Sequence, residues 1–174
     1  FKGLDLTIND GDFITVIGGN GAGKSTMLNL IAGVHKADGG RIILDDEDLT
    51  YRNETQRAKY IGRVFQDPMM GTAPTMMIEE NLAMAYRRTK KRTLAWGISQ
   101  KERELYRESL AQLGLGLEDR MKTKVGLLSG GQRQAVTLLM ATLQKPKLLL
   151  LDEHTAALDP ATSAKVLKIS DDII

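Results

Sequence analysis

Leu4, Leu6 and Ile8 alternate with Asp5 and Thr7, the two-residue period of a strand with one covered face. Asn9-Asp10-Gly11-Asp12 follows as a turn, and Phe13-Ile14-Thr15-Val16-Ile17 is a β-branched run of strand length. Beyond a glycine-rich stretch from Gly18 to Gly23 the period changes. Met27, Leu28, Leu30 and Ile31 stand at helical spacing, and Gly33 marks the end of that helix. Asp38-Gly39-Gly40 is a second turn, and Arg41–Asp45 and Ile61–Phe65 read as further strands. From Ile78 to Leu113 the residues Glu, Arg, Lys, Leu and Ala dominate, which is helix composition. Gln100–Leu113 fits one amphipathic helix with Leu105, Leu110 and Leu113 inward. Ser129 opens another helix that runs to about Gln144 and stops at Pro146. Leu148-Leu149-Leu150-Leu151 is the unbroken apolar run of a strand covered on both faces. The pattern predicts an α/β domain carrying a helical insert.

Composition narrows the function classes. The chain has 174 residues, which predicts a single domain with a sizeable core. Lys and Arg number 24 against 22 Asp and Glu, so no charge excess draws the chain to nucleic acid or to a membrane surface. There is no cysteine, which excludes disulfides and thiolate metal sites and agrees with a cytosolic setting. No apolar run is long enough to span a bilayer, so any membrane role requires docking on a partner. Both ends read as cut: Phe1 opens inside a strand alternation, and Asp171-Asp172-Ile173-Ile174 carries no closing turn.

Gly18-Gly19-Asn20-Gly21-Ala22-Gly23-Lys24-Ser25 matches G-x-x-x-x-G-K-[ST] between a predicted strand and a predicted helix. Small residues let backbone N–H groups close around phosphates, and the helix N-terminus adds the positive end of its dipole. Lys24 then supplies a point charge to the β- and γ-phosphates, Ser25 a hydroxyl to Mg²⁺, and Thr26 a donor to a phosphate oxygen. The apolar run ends in Asp152-Glu153, a carboxylate for the Mg²⁺ water shell followed by one that activates the attacking water. By itself that pair is also what a solvated strand end looks like.

Leu128-Ser129-Gly130-Gly131-Gln132 resolves the ambiguity. With this pentapeptide the sequence resembles the ABC ATPase family, whose hallmark is LSGGQ. The phosphate loop, the pentapeptide and the Leu-rich strand with its acidic pair stand in the family's order. Gln66 occupies the place of the Q-loop glutamine, near nucleotide and metal, and Ala157-Leu158-Asp159 that of the D-loop. The resemblance implies a P-loop NTPase of ABC type with a mixed β core. Residues 1–66 and 134–174 form the ATP-binding core with an antiparallel β subdomain, and 67–133 a helical subdomain that ends in LSGGQ. It implies ATP and Mg²⁺ as ligands, Glu153 as the catalytic carboxylate, and Ser25, Gln66 and Asp152 around the metal. Ser129 suits a helix N-cap, and Gly130 and Gly131 permit close approach of an anion, which makes a second phosphate site. The resemblance places these in a head-to-tail homodimer, with ATP between the phosphate loop of one subunit and the LSGGQ of the other.

Departures from the family bear on activity. Its adenine-stacking aromatic and its switch histidine fall outside this stretch, so the stretch alone is expected to hydrolyse ATP weakly or not at all. His154 stands where most members have Pro, either as a tolerated loop residue or as a contact near the phosphates; His35 carries no assigned role. Met69, Met70, Met76 and Met77, four of the eight Met residues, cluster after Gln66. They form either a flexible apolar groove for a membrane subunit or core beneath the helical insert. Arg87-Arg88-Thr89-Lys90-Lys91-Arg92 is either a solvated loop or a contact for headgroups or RNA. The leading function is an ATPase on the inner face of the cell membrane, driving small-solute or amino-acid import through an integral membrane subunit. The alternative is a soluble ABC ATPase of ribosomes or DNA. The 62 residues between Gln66 and Ser129 leave no room for the long coiled coil that such proteins carry, and no nucleic-acid partner is expected.

Overall fold

The computed structural model describes residues 3–88 and 97–152. The chain divides into two compact units, one ending at Arg57 and the other beginning at Ala58.

In the first unit, helix α1 (Lys24–Ala32) closes at Gly33, where the N–H groups of Gly33 and Val34 return to the carbonyls of Leu30 and Asn29. This is the glycine stop expected from the sequence. A short antiparallel hairpin follows, β1 (Ile43–Leu44) with β2 (Glu47–Asp48), turning at Asp45 and leading to α2 (Glu54–Arg57). Thr50 and Asp48 close the hairpin, since Thr50 Oγ1 accepts from Ile42 N–H at 3.0 Å and Thr50 N–H donates to Asp48 at 2.8 Å. The strand expected over Arg41–Asp45 is thus reduced to two residues. The turn at Asn9–Asp12 forms as expected, with Asp12 N–H on the Asn9 carbonyl at 3.1 Å.

The strands expected at 4–8 and 13–17 do not form ladders among the described residues. Their apolar side chains stand open, Phe13 at 61% and Ile17 at 91% exposure. Alternation specifies which side chains share a face of a pleat. It does not supply the neighbouring backbone whose N–H and C=O groups make a strand.

The second unit is held by helix packing. β3 (Ile61–Val64) and β4 (Leu148–Leu151) pair in parallel, Ile61 against Leu148 through Val64 against Leu151. The Leu-rich strand is less enclosed than the apolar run implied: only Leu150 is fully buried, because β3 is its one partner among the described residues. Helices α3 (Ile78–Tyr86), α4 (Gln100–Gln112) and α5 (Gly130–Thr142) enclose a core of Leu82, Tyr106, Leu110, Val125, Val136 and Leu138. At about 1.5–3 kcal/mol for each fully buried large apolar side chain, this cluster is the main stabilising term of the unit. Leu110 and Leu113 point inward as expected, Leu105 lies at the edge of the core, and Tyr106 joins them. Tyr106 meets Tyr86 edge to face at 6.0 Å.

Candidate functional site

The glycine-rich loop leads directly into α1. Gly23 caps the helix with φ 92°, a left-handed conformation that a Cβ would strain. No side chain caps this end and no acidic residue lies in the first turn. The leading N–H groups of a helix lack intrahelical acceptors, so this end can receive an anion. Lys24 bends back over the loop, its ammonium donating to the carbonyl oxygens of Gly18 at 2.6 Å and Gly19 at 3.2 Å. The charge therefore lies against the same backbone that would wrap phosphates. Asn20, Gly21, Ala22, Ser25 and Thr26 complete an exposed loop around it.

Arg57 anchors the far end of the same helix. Its buried guanidinium donates to the carbonyls of Leu30 at 2.7 Å and Ile31 at 2.8 Å, and to those of Arg52 and Thr50 at 2.8 and 3.0 Å. Burial pushes its pKa down. A cation at a helix C-terminus complements the dipole there. Sequence reading missed this residue, since a lone Arg in a polar stretch carries no signal of burial.

In the second unit the parallel register brings two expected residues to one end of the sheet. Asp152 follows β4 and its N–H donates to the Val64 carbonyl at 3.1 Å; Gln66 stands two residues beyond Val64. Ligands of α/β proteins bind at such carboxyl ends of strands. Asp152 also faces Arg63 at 3.9 Å, whose guanidinium stacks on the Phe65 ring. Among the described residues no three His, Cys, Asp or Glu side chains converge as a metal cage. Within this unit, the oxygen donors of Gln66 and Asp152 are of the kind that suits Mg²⁺, which takes few protein ligands and completes its shell with phosphate and water.

Ser129 is the N-cap of α5, as its residue type predicts. Its Oγ accepts from Gln132 N–H at 3.3 Å, and Gln132 Oε1 accepts from Ser129 N–H at 3.2 Å. The pentapeptide thus closes a capping box on itself, with Gly130 and Gly131 between. It presents a second helix N-terminus with no acidic residue in its first turn. Glu153, His154 and Ala157–Asp159 lie outside the described residues, as do Thr89–Arg92 of the basic run. The first two residues of that run are structural. Arg87 grips Glu102 and the Gly97 carbonyl, and Arg88 reaches the Ala141 carbonyl at 3.1 Å.

The Met-rich stretch does not fill the core. Met69 and Met70 are 41% and 70% exposed, and Met76 and Met77 are half-buried. Two residues that hold this loop escaped sequence reading. Asn81, fully buried, accepts from Ala73 N–H at 2.8 Å and donates to the Met77 carbonyl at 2.9 Å. Arg133 reaches the loop from α5. A buried Asn inside a helix was the available clue, since Asn is a poor helix former unless its amide has work elsewhere.

Comparison with known proteins agrees with this geometry. The ABC transporter family model matches residues 1–156. The chain is 45% identical over 174 residues to the tyrosine transport ATP-binding protein of Clostridioides difficile (strain R20291), covering all of this chain and 69% of that protein. It is 43% identical over 156 residues to the spermidine/putrescine import ATP-binding protein PotA of Escherichia coli (strain K12), covering 90% of this chain and 38% of that one. The fold matches the dimeric post-hydrolysis ATP-binding cassette MJ0796 bound to ADP and Pi with a TM-score of 0.81, at 29% identity over 95% of this chain and 70% of that chain. Among the described residues no helix is long and apolar enough to cross a membrane. On these matches the chain belongs to the ABC transporter family, as an importer-type ATP-binding and ATP-hydrolysing domain of a transport system.

Proposed function

We propose that this domain binds Mg-ATP between two copies of itself and uses its hydrolysis to drive import of a small amine-bearing solute, an amino acid foremost. The observation that carries the reading is the pair of acid-free helix N-termini, α1 behind Lys24 and α5 behind Ser129. Each is suited to phosphate, and two anion sites of different make suit the two sides of one triphosphate. Gly18, Asn20, Gly21, Ala22, Gly23, Lys24, Ser25 and Thr26 wrap the phosphates from one subunit. Ser129, Gly130, Gly131 and Gln132 face them from the other, and Asp159 supports the contact. Ser25, Gln66 and Asp152 would hold Mg²⁺, which would supply positive charge to the phosphates. Glu153 orients and deprotonates water. The solute class follows the two named relatives, which handle tyrosine and polyamines.

A membrane subunit docks on the helical side, peripheral to the inner face of the cell membrane. The exposed Met69 and Met70 support this, as does a cleft of about 370 Å³ in which Met76, Ala83 and Met84 lie beside Glu79, Glu80, Arg87 and Arg103. Flexible thioethers suit an adaptable apolar contact. Calorimetry on Lys24→Ala tests the nucleotide site. Mg-ATP affinity should fall below detection, because no other side chain of the motif brings a cation to the phosphates. Unchanged affinity would remove the assignment.

A further inference from the structure

We propose that Arg133 is a positioning residue: it fastens the turn that carries LSGGQ to the Met-rich loop behind Gln66, so that the phosphate-facing end of α5 and that loop shift as one body. The proposal rests on the reading of LSGGQ as a catalytic contact, and deepens it.

Arg133 stands one helical turn after Ser129. Long side chains on a helix lean back toward its N-terminus, which aims this one at the turn that precedes the pentapeptide. There the guanidinium collects three carbonyl oxygens: Val125 at 3.4 Å, Gly126 at 3.1 Å and Leu128 at 3.0 Å. These residues form the 3-10 turn Val125–Leu127 and its exit, so their carbonyls converge on one side. The remaining amino group points away from the turn and meets Met69 Sδ at 2.9 Å. A fork of five N–H groups in one plane spans such a set, whereas the single ammonium of a lysine does not.

The loop that Arg133 grips on the other side is closed by its own hydrogen bonds. Asp67 accepts at its side chain from Met69 N–H and at its carbonyl from Met70 N–H, and Thr72 donates to the Pro68 carbonyl. Asn81 pins Ala73 and Met77 to α3. The far half of the loop is already tied to the turn by backbone. Val125 N–H donates to the Met76 carbonyl at 3.0 Å, and Gly126 N–H to the Pro74 carbonyl at 2.9 Å. A Cβ on Gly126 would lie 2.9 Å from that Pro74 oxygen, so only glycine allows the approach. In the near half Arg133 holds Met69, three residues from Gln66, and Gly71 packs closely on Thr137 of α5. Losing the fork therefore loosens Met69 from the turn that carries LSGGQ while leaving the rest of the loop seated. A displacement at the exposed Met face would reach the capping box of Ser129 through Arg133.

The test uses the full-length protein with its membrane subunit. Arg133→Lys keeps the charge and loses the fork. Its kcat for ATP should fall about tenfold, the effect of losing one charge-assisted hydrogen bond or two. Its nucleotide Kd should stay within about twofold, because the phosphate loop is unchanged. Met69→Leu keeps the apolar volume and removes the sulfur, and should lower kcat about threefold. The double variant should be no slower than Arg133→Lys alone, since both changes break one link. A merely structural brace gives a lower melting temperature with wild-type kcat in the cold, and that result overturns the proposal, as does an additive double variant. If Arg133→Lys does not fold, Met69→Leu decides by itself, and a wild-type kcat there overturns the proposal. Failure of the underlying reading looks different: a Ser129→Glu variant with wild-type turnover would sink both, while loss of turnover in Ser129→Glu beside normal Arg133→Lys sinks this inference alone.

Discussion

Individual cations are what hold the functional loops in place. Arg57, Arg88 and Arg133 each donate to backbone carbonyls in preference to carboxylates. Carbonyls at helix ends and turns have no partner in their own segment, and a guanidinium satisfies several at once. Arg57 carries the largest share, with four carbonyls and almost no exposure. Arg57→Met fills the volume and strands those oxygens. A loss of about 3 kcal/mol or more is expected, read as the shift of a urea midpoint. The phosphate loop sits at the other end of the same helix, so Mg-ATP affinity should weaken in parallel. A midpoint within experimental scatter of the parent would show that the carbonyls find water instead.

Helix starts are where the sequence speaks most clearly among the elements. Ser99 and Glu102 box the start of α4 as Ser129 and Gln132 box that of α5, both at the three-residue spacing of the motif. Glu102 adds electrostatics. Desolvation would raise its pKa, but the N–H and hydroxyl of Ser99 and the guanidinium of Arg87 hold the carboxyl below its ordinary value of 4.5. A depressed carboxyl stabilises the fold above that ordinary value and ceases to do so as pH falls through the lowered one. Melting curves of wild type and Glu102→Gln should therefore differ at neutral pH by about 1 kcal/mol, and converge in acid. A gap that persists unchanged in acid would assign the difference to packing. Strands are the opposite case. The alternation at Leu4–Ile8 and the β-branched run at Phe13–Ile17 are as strand-like as Ile61–Val64, yet only the last is paired among the described residues. A capping box needs atoms three residues apart; a ladder needs a second segment from elsewhere.

At the scale of the whole molecule, docking and dimerisation are the readings to test. Met69 is engaged by Arg133, so the cleaner probes of the proposed docking face are Met70 and Met84, 70% and 47% exposed. Replacing both with Asp should leave the melting temperature and nucleotide affinity near wild type and should abolish copurification with the membrane subunit. A core role predicts instead the several kcal/mol that buried charge costs. In the full-length protein, Glu153→Gln should keep ATP binding, stop turnover, and shift the ATP-bound form to a dimer by size exclusion, since the amide keeps the shape of the base and loses its function. Wild-type turnover would move the catalytic role elsewhere. The glycine stop of α1 and the starts of α4 and α5 are legible along the chain, because each works through atoms a few residues apart. Which of the apolar runs become strands is not, nor that Met69 and Met70 stand open while Met76 and Met77 are half-buried, nor that Arg133 reaches Met69 across 64 positions. Those depend on which distant backbone arrives beside a segment, and residue spacing along a chain does not encode that.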